Sequence, residues 1–107
     1  MDVYGSTSKI TKQLSDQKLL IKAYGTDKAK RIQQRIFEFS NATNLSQISH
    51  VPPPRLHSLK GDMSELFAVD ISANWRIVFE GYDKNDVKST KESDIVTVQI
   101  IGIEDYH

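Results

Sequence analysis

The chain has 107 residues, with 14 basic and 14 acidic side chains, and no cysteine. That length suits one domain with a modest two-layer core. The missing cysteines exclude disulfides and thiolate metal sites, and no apolar run approaches the roughly 20 residues of a membrane span, so a soluble protein is expected. The opening MDVYGSTSK has no basic flank leading into an apolar core, which argues against a secretory signal and for a cytoplasmic location. Charge is unevenly distributed along the chain. Residues 1–60 carry ten basic and four acidic side chains, and residues 61–107 carry four basic and ten acidic ones. Such segregation allows a basic surface on a neutral protein, suited to a polyanion or an acidic partner; a merely solvated helix face would give the same pattern.

Asp2 to Gly5 reads as a short edge strand. From Ser8, apolar residues recur at Ile10, Leu14, Ile21 and Tyr24, which predicts an amphipathic helix, continuous or restarted near Ser15-Asp16, that ends at Gly25. Thr26 and Asp27 are placed to cap a second helix. Its Ala29, Ile32, Ile36 and Phe39 form one stripe, while Lys28, Lys30, Arg31 and Arg35 project from the remaining surface. The two segments are expected to form an antiparallel helix pair packed on a sheet, with Leu45 and Ile48 returning to the core after the second helix.

Val51 to Asp62, VPPPRLHSLKGD, concentrates a histidine, two cations and a turn glycine behind three prolines. The prolines predict an extended, polyproline-like arm from Val51 to Pro54. Beyond it, alternation places Arg55, His57 and Leu59 opposite Leu56 and Ser58, until Lys60-Gly61-Asp62 turns the chain. His57 then lies beside Lys60 at a loop edge, or is simply a half-exposed surface residue. His50 is read as a surface residue.

After Gly61 the period changes to that of strands. Phe67, Val69 and Ile71, then Trp75, Ile77 and Phe79, alternate around a tight connection at Ser72 to Asn74 and predict a β-hairpin. GYDKNDVKSTKESD, from Gly81 to Asp94, reads as a polar loop inclined to mobility. Ile95 to Ile103 is apolar on both parities and is expected to be a central strand covered at least partly on both sides. It runs directly into Glu104-Asp105-Tyr106-His107. Alternation puts Asp105 and His107 on one side and Tyr106 on the other unless the strand end bends; a polar solubilising tail is the plainer alternative.

His57, Lys60, Arg76, Tyr106 and His107, with Asp105 behind them, contain the groups needed to cleave RNA without a metal. A base must take the 2′-hydroxyl proton, an acid must protonate the leaving 5′ oxygen, and cations must hold the charge on phosphorus. Histidine serves as acid or base near neutral pH, and an exposed aromatic can stack on a splayed base. The spacing of the histidines and the aspartate fits no zinc pattern, and no cofactor is expected. Arg76 has an alternative use, pairing with Glu80 or Asp70 on the sheet.

RLHSLKGD, ANWRIVFE and IEDYH, in this order between Pro53 and His107, resemble the HigB branch of the RelE/ParE toxin superfamily. The resemblance implies an α+β, RelE-like fold in which two N-terminal helices pack on a small, largely antiparallel sheet in β-α-α-β-β-β order. It implies a single-domain toxin of a type II toxin–antitoxin system, a ribosome-dependent endoribonuclease that cuts mRNA and is neutralised by a HigA-like helix-turn-helix antitoxin. The motif positions assign catalysis to His57, Lys60, Arg76, Asp105, Tyr106 and His107. Lys9, Lys12, Lys18, Lys22 and Arg55 are candidates for contact with RNA and the 70S ribosome, and Lys28, Arg31 and Arg35 for contact with the antitoxin. Ser58 and Met63 depart from the family pattern, which has proline and arginine there. A non-enzymatic ParE-like inhibitor of DNA gyrase and an inactive antitoxin-binding module are the alternatives.

Overall fold

The structure, a computed structural model, describes residues 1–106. His107, assigned above to catalysis, lies outside the described residues. The Thr7 hydroxyl accepts from the Ile10 N–H and starts α1 (Ser8–Ser15). Asp16 then interrupts the helical path in an extended conformation, and its carboxylate accepts from the Lys18 N–H to start α2 (Gln17–Tyr24). The expected helix pair is therefore three helices, because one aspartate ends the first and caps the second. Gly25 closes α2 with a φ of 85°, and its N–H donates to the Ile21 carbonyl. α3 (Thr26–Asn41) follows at once. Gly25 takes its cap position without a side-chain hydrogen bond, so Thr26 and Asp27 lie inside the first turn instead of capping it.

Among the described residues the sheet contains six strands: β1 (Asp2–Gly5), β2 (His57–Ser58), β3 (Phe67–Asp70), β4 (Trp75–Tyr82), β5 (Lys88–Ser89) and β6 (Thr97–Asp105). Their order is β1-β6-β4-β3-β2, and β5 pairs with the end of β4. β1 runs parallel to β6 and every other pairing is antiparallel. The fold is α+β, with the helices on one side of a largely antiparallel sheet. No described helix is long and apolar enough to cross a membrane.

Period-two alternation sends Phe67, Val69, Ile77, Phe79, Val98 and Ile100 toward the helices, where Ala29, Ile32 and Phe39 from α3 meet them. Phe79 is central, with Phe39 edge-on at 5.0 Å and Phe67 stacked at 5.7 Å between ring centroids. Leu45 and Ile48 are buried in the same core, as their sequence positions suggested. β6 is internal to the sheet, buried on the helix side at Val98 and Ile100 and half-buried on the other at Thr97, Gln99 and Gly102. The register shifts between Val78 and Phe79, pairing Val78 with Gly102 and Phe79 with Ile100, and leaves Ile101 opposite no residue and exposed.

Two loops differ from expectation. Val51 to Pro54 folds into a turn, closed by the Arg55 N–H on the Val51 carbonyl, and contains a cis bond between Pro52 and Pro53. Proline fixes φ but leaves the path of the chain to tertiary contacts, so three prolines did not make an arm. The polar segment 81–94 is structured. β4 continues through Tyr82, the Asp83 carboxylate accepts from the Asn85 and Val87 N–H groups, and β5 returns alongside.

Gly81 lies under Ile95, where a Cβ would stand 2.5 Å from Ile95 Cδ1. Replacing Gly81 with alanine is expected to destabilise the fold by about 1–3 kcal/mol through overpacking, read as a lower urea midpoint with an unchanged slope.

Candidate active site

Sheet pairing gathers the chemically useful side chains on the face that no helix covers. His57 pairs with Ala68, Ala68 with Val78, Asp70 with Arg76, and Arg76 with Glu104. Since Phe67, Val69, Ile77 and Ile103 point to the core, their alternating neighbours point away from it. Ala68 and Val78 are buried and form the floor. With strands about 4.8 Å apart, His57 and Val78 stand about 10 Å apart across the sheet, and Arg76 is the next outward residue along β4.

The bulge in β6 decides which C-terminal residues join this face. Val98 and Ile100 point inward, and uninterrupted alternation would send Glu104 inward as well. The unpaired Ile101 reverses the parity, so Ile103 points inward and Glu104 outward beside Arg76. Tyr106 shares the outward parity, and its ring lies under Arg76 at 4.7 Å from the guanidinium carbon. The Tyr106 N–H donates to the Asn74 carbonyl and its hydroxyl to the Ala73 carbonyl. Asp105 instead pairs in register with Trp75, a residue of the helix side.

Arg55, Asp70, Arg76 and Glu104 form a row of alternating charge. The Arg55 Nε and Nη2 donate to the two Asp70 carboxylate oxygens at 2.6 and 3.1 Å. Arg76 donates through Nε and Nη2 to a single oxygen of Glu104, at 3.0 and 2.8 Å. The pairing open to Arg76 in the sequence, Glu80 or Asp70, is thus filled by Glu104. Hydrogen bonding to Asp70 outweighs desolvation and, with the Tyr106 hydroxyl nearby, raises the Arg55 pKa above the ordinary guanidinium value.

His57 is held by its own chain. Its Nδ1 lies 2.7 Å from the Arg55 carbonyl, and a carbonyl can only accept, so Nδ1 carries the hydrogen and a neutral ring has its lone pair on Nε2. Arg55 reaches this position with a φ of 46°, in the left-handed region that non-glycine residues seldom occupy. Lys60 is exposed one turn further on and precedes the short 3-10 turn Gly61–Met63. His50 is exposed, with Nδ1 2.9 Å from the Leu56 carbonyl and Nε2 3.1 Å from Glu92.

The remaining candidates lie elsewhere. Lys9, Lys12, Lys18 and Lys22 are exposed on α1 and α2, in the helical layer across the sheet from His57. Arg35 does not project from α3. It is 5% exposed, with Nε donating to the Asp70 carbonyl at 2.8 Å and Nη1 to the Glu38 carboxylate at 2.9 Å. Arg31 donates to the Ile71 carbonyl, and Lys28 stands 5.2 Å from the centre of the Trp75 ring. Sequence reasoning missed Glu104 and Asp70 as members of the site. Acidic residues at outward strand positions opposite arginine are the signal, but it is visible only once the strands are in register.

Farther along the helix-free face, Tyr82 donates to Glu80 at 2.6 Å and Lys88 lies 2.9 Å from the same carboxylate. Burial pushes the Glu80 pKa up, but the hydrogen bonds from Tyr82 and Lys88 prevail and leave it below the ordinary carboxylate value. A depressed folded-state pKa contributes stability above the unfolded value that is lost as pH falls through the folded one. The urea midpoint should therefore drop on acidification through and below the carboxylate range, and Glu80→Gln should flatten that drop. Asp70→Asn should cost about 1–2 kcal/mol by weakening the clamp on Arg55, also read from the urea midpoint.

No family model and no curated protein matches the chain. Among the solved structures that match it, two are similar along its whole length. A YoeB/ParE toxin from Agrobacterium tumefaciens has a TM-score of 0.62 at 14% identity, with 100% of each chain covered. The YoeB-YefM complex from Staphylococcus aureus has a TM-score of 0.56 at 15% identity, with 100% of this chain and 97% of that chain covered. The fold of the described residues, three helices on one side of a six-stranded, mostly antiparallel sheet, is similar to that of these two structures.

Proposed function

We propose that this protein is the toxin of a type II toxin–antitoxin system and acts as a ribosome-dependent mRNA endoribonuclease. The carrying observation is His57, held with Nδ1 on the Arg55 carbonyl so that Nε2 is its basic nitrogen, on the face that also bears Arg55, Arg76 and Tyr106. The shared fold supports the toxin reading, and the motifs RLHSLKGD, NWR and IEDYH support the HigB type. A cytoplasmic location and an antitoxin partner, of the HigA type with a helix-turn-helix domain, follow from the same reading.

In the proposed reaction His57 Nε2 takes the proton of a ribose 2′-hydroxyl, and the oxygen attacks the adjacent phosphorus. The bond from phosphorus to the 5′ oxygen breaks, an acid protonates that oxygen, and the products carry a 2′,3′-cyclic phosphate and a 5′-hydroxyl. His107 is the candidate acid, and Arg76 with Lys60 meets the charge on phosphorus. The Arg55 carbonyl fixes the tautomer of His57. The Tyr106 ring packs against the Arg76 guanidinium, 4.7 Å from its central carbon. A shallow face with few base-reading groups offers little positional energy of its own, and the ribosome supplies the placement of the message.

Induction in bacteria with mapping of mRNA 5′ ends tests the proposal. The wild type should arrest growth and create new ends within translated message. His57→Gln, and separately deletion of His107, should each reduce cleavage by about 10²–10⁴-fold with an unchanged thermal transition. Growth arrest with intact message in every form would overturn the nuclease reading in favour of a non-enzymatic inhibitor of a nucleic-acid machine.

A further inference from the structure

We infer that the edge of the Arg76 guanidinium is a seat for one phosphodiester group, and that Glu104 fills this seat in the free protein and so determines which anions are admitted. The inference rests on the reading that a phosphodiester binds this face, and adds to it the residue that controls access.

Arg76 has only 16% of its side chain exposed, so its charge needs a counter-charge both before and after a ligand arrives. The Tyr106 ring packs 4.7 Å from the guanidinium carbon, and the Nε–Nη2 edge is the place for that counter-charge. A single Glu104 oxygen now lies there, bridging Nε and Nη2 as one phosphate oxygen would. The Glu104 side chain is 44% exposed and can turn into water at small cost. Asp70 differs: its carboxylate is 16% exposed, clamped by two donors of Arg55, and its backbone is fixed on both sides. Of the two carboxylates in the charge row, Glu104 is therefore the one that can be exchanged.

Ligand binding here is a replacement. The phosphate displaces Glu104, and Arg76 stays paired throughout. A free phosphate ion competes poorly, because the tethered carboxylate returns at high effective concentration and the ion makes no second contact. A single strand can bring further phosphates to Arg55 and Lys60, so its binding survives the exchange. Glu104 thereby selects a polyanionic strand over isolated phosphate.

The test uses the full chain with a short, fully 2′-O-methylated RNA strand that cannot be cut, and with inorganic phosphate, binding being followed by fluorescence anisotropy and titration calorimetry. Glu104→Gln should tighten strand binding by about fivefold and inorganic phosphate binding by more than that. Glu65→Gln removes the same charge from an exposed position on Lys88 and should change affinity by less than about twofold. The Glu104→Gln gain should vanish in an Arg76→Gln background. Equal or weaker binding by Glu104→Gln, or a gain that persists without Arg76, would overturn the inference. Tighter binding together with uncut message on programmed ribosomes would keep the seat and overturn the nuclease reading. Unchanged binding together with cut message would do the reverse.

Discussion

Asp70 ties the two layers and the proposed site together, because each of its polar groups is engaged in a different direction. Its N–H donates to the Pro54 carbonyl at 2.7 Å, its carbonyl accepts from Arg35 of α3 at 2.8 Å, and its carboxylate holds Arg55. The first bond pins the proline turn to the end of β3. The second brings a buried guanidinium from the helical layer against the sheet, with Glu38 balancing its charge. The third fixes Arg55, whose carbonyl in turn holds His57. One residue at a strand end thus transmits the packing of α3 to the imidazole on the opposite face.

The site face has an electrostatic design that follows from this arrangement. Opposite charges alternate across neighbouring positions from Arg55 to Glu104, which is favourable on a sheet and gives both Arg55 and Arg76 a counter-charge. An anion entering such a face must exchange with a carboxylate or add to guanidinium hydrogens that still face water. That distinguishes it from the basic helical layer, where Lys9, Lys12, Lys18 and Lys22 are spread over exposed surface. Under the proposed function, long-range attraction to a polyanion would belong to the helices, screened over roughly 10 Å at 0.1 M salt, and short-range discrimination to the sheet.

The charge asymmetry of the sequence therefore divides unequally between surface and interior. Arg35, counted among ten basic residues of the first 60, contributes to the joint between layers and not to an outward surface. Arg31, though exposed, donates to the Ile71 carbonyl at the end of the β3–β4 hairpin, and Lys28 lies against Trp75. These three residues link α3 to the hairpin whose far side carries Arg76.

The sequence by itself determined the elements that depend on near neighbours: the α3 stripe, the stop at Gly25, the hairpin turning at Ser72 to Asn74, and the internal strand through Ile103. Each follows from period, from a left-handed glycine, or from parity over a few residues. It also marked His57, Arg76 and Tyr106, which the sheet brings to one face. Only the tertiary structure decided what lies beyond such local rules. Ile95 to Ile103 is apolar on both parities and gives no hint of the bulge at Ile101, yet that one unpaired residue turns Glu104 and Tyr106 toward Arg76 and Asp105 away. The partner of Arg76 lies 28 positions away and that of Arg35 lies 35 positions away. Such pairings depend on strand register and on how a helix lies against a sheet, and both are settled by the packing of the whole core.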